Sequence, residues 1–181
     1  TGWYTLSLHD ALPIFYAGNA SAWLPPEWLK GDLANTGFEE GLDAPTQWLT
    51  ADTDASHRMS LERGHAHGGE VCARCDVDAG AEPSWVKYYQ NRIPVRVGER
   101  YRFTAWVKGE GVEDKAGWFV HVDGAEPQLV NRVEGLNGDF DWHEVAIEFD
   151  VPEGGQFFTC GTVLRGSGRA WYDDAGLERM T

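Results

Sequence analysis

The chain has 181 residues, enough for one domain of ordinary size that builds a real core without disulfides or metals. A formal net charge of −14 repels phosphate backbones and anionic lipid, so nucleic acid and membrane surfaces are poor partners, and no apolar run approaches the roughly 20 residues of a membrane span. Three cysteines are an odd set, which excludes a fully paired disulfide framework within the chain and leaves the redox compartment open.

Residues 4–14 read YTLSLHDALPI and resemble the in-frame translation of a short-read sequencing adapter. Residues 1–14 are therefore expected to be an artefact of assembled environmental reads, with a natural apolar helix over 6–12 as the alternative. Residues 15–33, which contain Ala20-Ser21-Ala22 and Pro25-Pro26, read as a linker or the tail of an upstream domain, and a signal peptide is not observable. The folded unit is expected over 34–181.

From Asn35 onward the apolar pattern has period two, with turn signals every eight to twelve residues and almost no helical period, which predicts an all-β sandwich or barrel. Strands are predicted over 70–77 and 85–91. Next, Tyr101, Phe103, Ala105 and Val107 alternate with Arg102, Thr104, Trp106 and Lys108, and Gly109-Glu110-Gly111 reads as the turn that ends that strand. Trp118, Val120 and Val122 alternate with Phe119, His121 and Asp123 before a tight turn at Asp123-Gly124. A strand over 128–133 follows. Val145, Ile147, Phe149 and Val151 then alternate with charged or small residues up to Pro152, and strands over 157–164 and 170–177 close the chain. Eight strands with short turns make a two-sheet antiparallel jelly roll the economical architecture.

Four segments resemble, in order and spacing, the CenC-like carbohydrate-binding modules, the group of families four, nine and twenty-two, whose fold is a galactose-binding-domain-like jelly roll. They are Asn35-Thr36-Gly37-Phe38-Glu39-Glu40-Gly41 with Trp48 soon after; Gly98-Glu99-Arg100-Tyr101-Arg102-Phe103; Trp142-His143-Glu144-Val145 leading to Phe149-Asp150-Val151-Pro152; and Trp171-Tyr172-Asp173-Asp174 with Leu177-Glu178. The strand that holds Cys72 and Cys75 departs from the group's pattern. The resemblance implies a non-catalytic polysaccharide- or oligosaccharide-binding module that tethers a linked catalytic or surface domain to a glycan, outside the cell or on the surface of a bacterium. Alternatives are a structural or protein-interaction sandwich of a bacterial surface protein, and a small jelly-roll lyase or hydrolase.

The resemblance also implies a structural calcium ion where the first and last strands meet, with Glu39 and Asp173 as carboxylate ligands and Gly37 and Gly69 as carbonyl donors. Without a metal, the same carboxylates would cap turn amides. Ligand binding in the group is usually on the concave sheet, which here draws on 85–91, 117–123, 128–133 and 157–165. On those strands Trp85, Tyr89, Asn91, Phe119, His121, Gln128 and Arg165 are the candidates, rings for stacking on apolar sugar faces and amide or guanidinium groups for hydroxyls. Trp106 and Trp171 fall on the opposite sheet and read as core or edge packing.

His65, His67, Cys72 and Cys75 offer nitrogen and sulfur to zinc, but a lone CxxC on a continuous strand points its cysteines to opposite faces. The bland alternative is two half-buried thiols, with Cys160 pairing one of them in an oxidising compartment. Glycosidase chemistry needs two carboxyls facing across a substrate. Glu144, Glu148 and Asp150 share one outer strand face and read as solvated surface, and no GxSxG, HExxH or phosphate loop is present.

Overall fold

In the computed structural model, residues 32–181 are described, and the adapter-like reading and all of the linker reading but residues 32 and 33 lie outside them. Among these residues the regular structure is entirely β. The strands are β1 (Leu49–Ala51), β2 (His57–Arg63), β3 (Val71–Val77), β4 (Lys87–Pro94), β5 (Arg100–Gly124), β6 (Val130–Asp150), β7 (Gly155–Arg165) and β8 (Gly168–Met180). All pairings are antiparallel, in the order β1-β4-β7-β5-β8-β3-β2, with β6 alongside β5.

The long β5 makes two layers out of this one ladder. Its first half, from Arg100 to Glu110, pairs with β8, whereas its second half, from Lys115 to Gly124, pairs with β7. β6 follows β5 through both layers, with register shifts between Val107 and Ala116 that mark the crease. The turn expected at Gly109-Glu110-Gly111 is thus a bend within one strand. β6 supplies hydrogen-bond partners along the whole length, and bulges let the pair change direction without ending. For the same reason the strands predicted over 128–133 and 145–151 are two arms of β6. β1 and β2 were not expected: the first has three residues, and the second, HRMSLER, buries little beyond His57.

The alternation in sequence becomes burial. Phe103, Ala105, Val107, Trp118, Val120 and Val122 are fully buried between the layers, facing Val145, Ile147 and Phe149 of β6 and Phe158 of β7. Trp118 joins the two layers: its ring centroid lies 5.7 Å from Phe103 and 5.6 Å from Tyr172, and its Nε1 donates to the Trp106 carbonyl at 3.0 Å. The Tyr172 hydroxyl donates to the Val163 carbonyl at 2.6 Å, so the buried hydroxyl is satisfied.

The cysteines correct the sequence reading. Cys72, Cys75 and Cys160 are fully buried thiols rather than half-buried ones, and no disulfide joins them. Burial pushes the Cys72 thiol up to about 12 and Cys75 higher still, the opposite of what a thiolate metal ligand needs. Among the described residues no group of three or more His, Cys, Asp or Glu is arranged to hold a metal, so the zinc set is not assembled.

Candidate functional site

On the second layer the pleat that turns Trp118, Val120 and Val122 inward turns Phe119 and His121 outward. Between them and β4 lies Gly161, whose Cα faces both Tyr89 and Phe119 across the ladder. A Cβ there would sit 2.4 Å from Phe119 Cε1 and 2.7 Å from the Tyr88 carbonyl, so only glycine lets the Phe119 ring lie flat over the strand. Phe119 is consequently 6% exposed and forms a floor, with the His121 ring 4.8 Å away. Burial is the main cause that holds His121 below the usual histidine range, so it stays a neutral imidazole.

Around this floor a cavity of about 390 Å³ is lined by Asp52, Trp85, Lys87, Phe119, His121, Gln128, Asn131 and Val133. Trp85, 45% exposed just before β4, carries the Arg165 guanidinium 5.1 Å from its ring centroid, and Arg165 Nε lies 3.3 Å from Asp114. Lys87 Nζ donates to Asp52 at 2.9 Å and to the Trp85 carbonyl at 3.1 Å. Across the cavity Asn131 donates to Gln128 Oε1 at 3.0 Å, and the Gln128 amide donates to Asp123 at 2.8 Å. Asp52 and Gln128 both hold left-handed backbone, with φ of 59° and 54°. Strain of this kind persists only where its surroundings enforce it, and it gathers at functional sites.

Of the residues named from sequence, Trp85, Phe119, His121 and Gln128 line this cavity, and Arg165 lies over Trp85. Tyr89 faces outward opposite Leu49, outside the lining, and Asn91 falls in the irregularity between Gln90 and Ile93, where Arg92 takes a left-handed φ of 59°. Asp52, Lys87, Asn131 and Val133 were missed. Period two from Tyr89 reaches Lys87, but Asp52 carries no local signal, because only tertiary pairing brings it here. Two larger depressions, of about 640 and 440 Å³, are lined by ion-paired side chains such as Arg179 with Glu99 and Arg58 with Asp78, and neither has an aromatic ring in its lining.

At the other candidate site, Glu39 and Asp173 converge on glycine loops. Glu39 lies in the loop ahead of β1 rather than on a strand, and the Ala175 amide donates to the Thr36 carbonyl at 3.0 Å, which ties that loop to β8. Glu39 Oε1 accepts from the amides of Glu70 (2.8 Å) and Val71 (3.1 Å). The fully buried Asp173 accepts from the amides of His67 (2.8 Å), Gly68 (3.1 Å) and Asp174 (2.8 Å). A Cβ on Gly37 would lie 3.5 to 3.8 Å from Asp174, Asp173 and Glu39, and one on Gly69 would strike Glu39 Oε1. Burial pushes the Asp173 carboxyl up to about 6 even with amides to help it, because its partners are dipoles and not a cation. Both carboxylates thus cap loop amides, as they would without a metal, and among the described residues no third His, Cys, Asp or Glu completes a metal-holding group with them, although carboxylate oxygens are the hard donors a hard cation takes.

On the first layer, Trp171 is 6% exposed under Arg74 and Lys108, and its Nε1 donates to Glu62 at 3.1 Å. Trp106 stacks on His67 at 3.8 Å. Both are packing residues of the outer face.

No family model matches the chain. It is 30% identical over 90 residues to an HTH-type transcriptional regulator of Bacillus subtilis, YbfP, described as uncharacterized; the match spans 46% of this chain and 30% of that protein. The enzymatically active domain of bacteriophage CBA120 tailspike protein 4 superposes with a TM-score of 0.66 at 10% identity, covering 83% of this chain and 21% of that one. TmCBM61, solved with β-1,4-galactotriose, gives 0.58 at 20% identity, covering 83% and 99%. A family 16 carbohydrate-binding module gives 0.59 at 16% identity, covering 80% and 97%. The chain spans less than a third of the curated relative and of the tailspike domain, but nearly the whole of the two binding modules. Its fold, a two-layer antiparallel β jelly roll, is shared with these carbohydrate-binding modules.

Proposed function

We propose that this domain captures a polysaccharide or oligosaccharide in the cavity on its second layer and carries a linked domain to it without breaking a bond. The observation that carries the reading is the convergence of Trp85, Phe119, His121 and Gln128, from separate parts of the chain, on one cavity of about 390 Å³. The exposed Trp85 ring offers a stacking platform, while Asp52, Lys87, Gln128, Asn131 and neutral His121 offer donors and acceptors to hydroxyls. Two neighbours in fold were solved with sugars, TmCBM61 with galactotriose and a xylanase fragment containing CBM22-1 and GH10 modules with xylohexaose, which supports a glycan as the ligand class. The lining holds one carboxylate, Asp52, whereas glycoside hydrolysis needs two across the substrate, and this supports capture over turnover. A place outside the cell or at a bacterial surface follows from a polysaccharide ligand.

Calcium is the cation proposed for Glu39 and Asp173, with the Gly37 and Gly69 carbonyls as further oxygen ligands. It would supply positive charge to a buried carboxylate that has only amide partners. A melting temperature that drops on chelation and returns with calcium is the expected result, and an indifferent one removes the ion.

Affinity electrophoresis in gels containing β-galactan, xylan or mixed-linkage glucan tests the groove. Wild type is expected to be retarded by at least one polymer, and Trp85→Ala to weaken retardation about 5- to 30-fold, the worth of roughly 1–2 kcal/mol of ring contact. Its melting temperature should hold, since Trp85 is half exposed. Free migration of wild type in all three gels would refute the reading.

A further inference from the structure

The groove contains an ion pair whose function the stacking platform does not explain. Lys87 and Asp52 meet at 2.9 Å on the Trp85 rim, and Lys87 also donates to the Trp85 carbonyl. Two of the ammonium's three donors are thereby fixed, and one is left for a ligand. Asp52 lies outside the regular strands and reaches this position through a left-handed φ of 59°, a conformation that Asp and Asn adopt more readily than most residues. Of the other charges nearby, Arg165 faces Asp114 at 3.3 Å, while Asp123 has neutral partners only, accepting from the Gln128 backbone amide at 2.8 Å and from the Thr159 hydroxyl at 3.1 Å. The groove therefore holds cations beside an aromatic ring, as a site for acidic sugars would, yet each cation is matched by a carboxylate.

We propose that Asp52 is a specificity determinant of this groove: it cancels the charge of Lys87, so that the ammonium donates to hydroxyls of a neutral sugar while glycans bearing carboxylates gain nothing from it. This rests on the glycan-binding reading and deepens it. Without Asp52, Lys87 would be an unpaired cation beside Trp85, unlike Arg165 with its Asp114, and fit to pair with a uronic acid. In the presence of Asp52, a uronate meets as much repulsion as attraction.

The test compares wild type, Asp52→Asn, Lys87→Gln and Trp85→Ala on neutral polymers (β-galactan, xylan, glucan) and on polygalacturonate, by affinity electrophoresis at low and high salt. Asn keeps the left-handed backbone accessible, so Asp52→Asn changes charge with little else. Wild type should bind a neutral polymer and ignore polygalacturonate. Asp52→Asn should bind polygalacturonate about fivefold or more tightly than wild type does, the worth of one unit charge contact in water, and lose that gain at high salt. Lys87→Gln should weaken neutral binding and gain nothing on polygalacturonate. The proposal is overturned if Asp52→Asn shows no gain while wild type and Asp52→Asn bind the neutral polymer alike and Trp85→Ala does not; the groove then stands without this role for Asp52. It is equally overturned if wild type already prefers polygalacturonate. Should wild type bind no polymer, the groove reading itself fails and takes the proposal with it. Lys87→Gln keeps the test decisive if Asp52→Asn folds poorly, because retained neutral binding by that variant also counts against the pair.

Discussion

Gly161→Ala is a small change with a calculable consequence. The new methyl would lie 2.4 Å from Phe119 Cε1 and 2.7 Å from the Tyr88 carbonyl, both well inside contact distance. The carbonyl belongs to the β4–β7 ladder and yields little, while the Phe119 ring can swing outward only into the cavity it floors. The φ at Gly161 is not left-handed, so the cost is steric, and overpacking of this kind costs about 1–3 kcal/mol. Phe119→Ala alone should cost about 1.5–3 kcal/mol, the value of burying one Phe ring. In the double variant the ring clash has gone, so the two costs should fall short of their sum by at least about 1 kcal/mol. For a domain of this size that coupling is about 2–4 °C in melting temperature. Chemical denaturation of the four proteins measures it, and glycan retention should fall in Gly161→Ala as the ring enters the groove. Additivity within about 0.5 kcal/mol would show that Gly161 does not support the ring.

Two further outcomes follow from burial. Burial holds His121 below the ordinary histidine value of about 6.5, so under acid conditions the unfolded chain takes up a proton that the folded groove refuses. Stability is then fully present above that pH and is lost as pH falls toward the folded value; His121→Gln should show a smaller drop in melting temperature between neutral and mildly acidic buffer than wild type. The buried thiols of Cys72, Cys75 and Cys160 should resist alkylation in the native protein at neutral pH and all react after denaturation; rapid native labelling of any one would contradict the packing described.

Much of the fold was legible because a half-buried strand writes its two faces into alternate residues. Phe103, Ala105 and Val107 were read this way, as were Trp118, Val120 and Val122. The same rule run backward pointed Phe119 and His121 outward. What failed was punctuation: Gly109-Glu110-Gly111 has turn composition, yet the chain continues because β6 runs beside it and Val112, just beyond, is 3% exposed. Local composition says where a chain can bend, and only the partner strand decides whether it must reverse. Asn91 lies outside the lining for a related reason, since strict alternation does not survive the register shift after Gln90. The carboxylates Glu39 and Asp173 were brought together by the resemblance, and no spacing along the chain joins positions so far apart.

The continuity of β5 also bears on function. Trp118 and Phe119 are neighbours on one strand: the first is fully buried between the layers, within 6.4 Å of Phe38, Trp48, Phe103 and Tyr172, and the second floors the groove. A side chain that points out of a sheet is held only as firmly as the backbone under it, and here that backbone is anchored by one of the largest buried rings in the protein. The two halves of β5 belong to different layers, so a shift of either layer moves the strand on which Phe119 and His121 stand. The groove is in this sense preformed by the core, which lowers the ordering cost of binding. Asp52, Trp85 and Gln128, which lie outside the regular strands, are the lining residues the core holds least directly. Substitutions at those rim positions are therefore expected to change the retention of one polymer relative to another, while the floor stays in place.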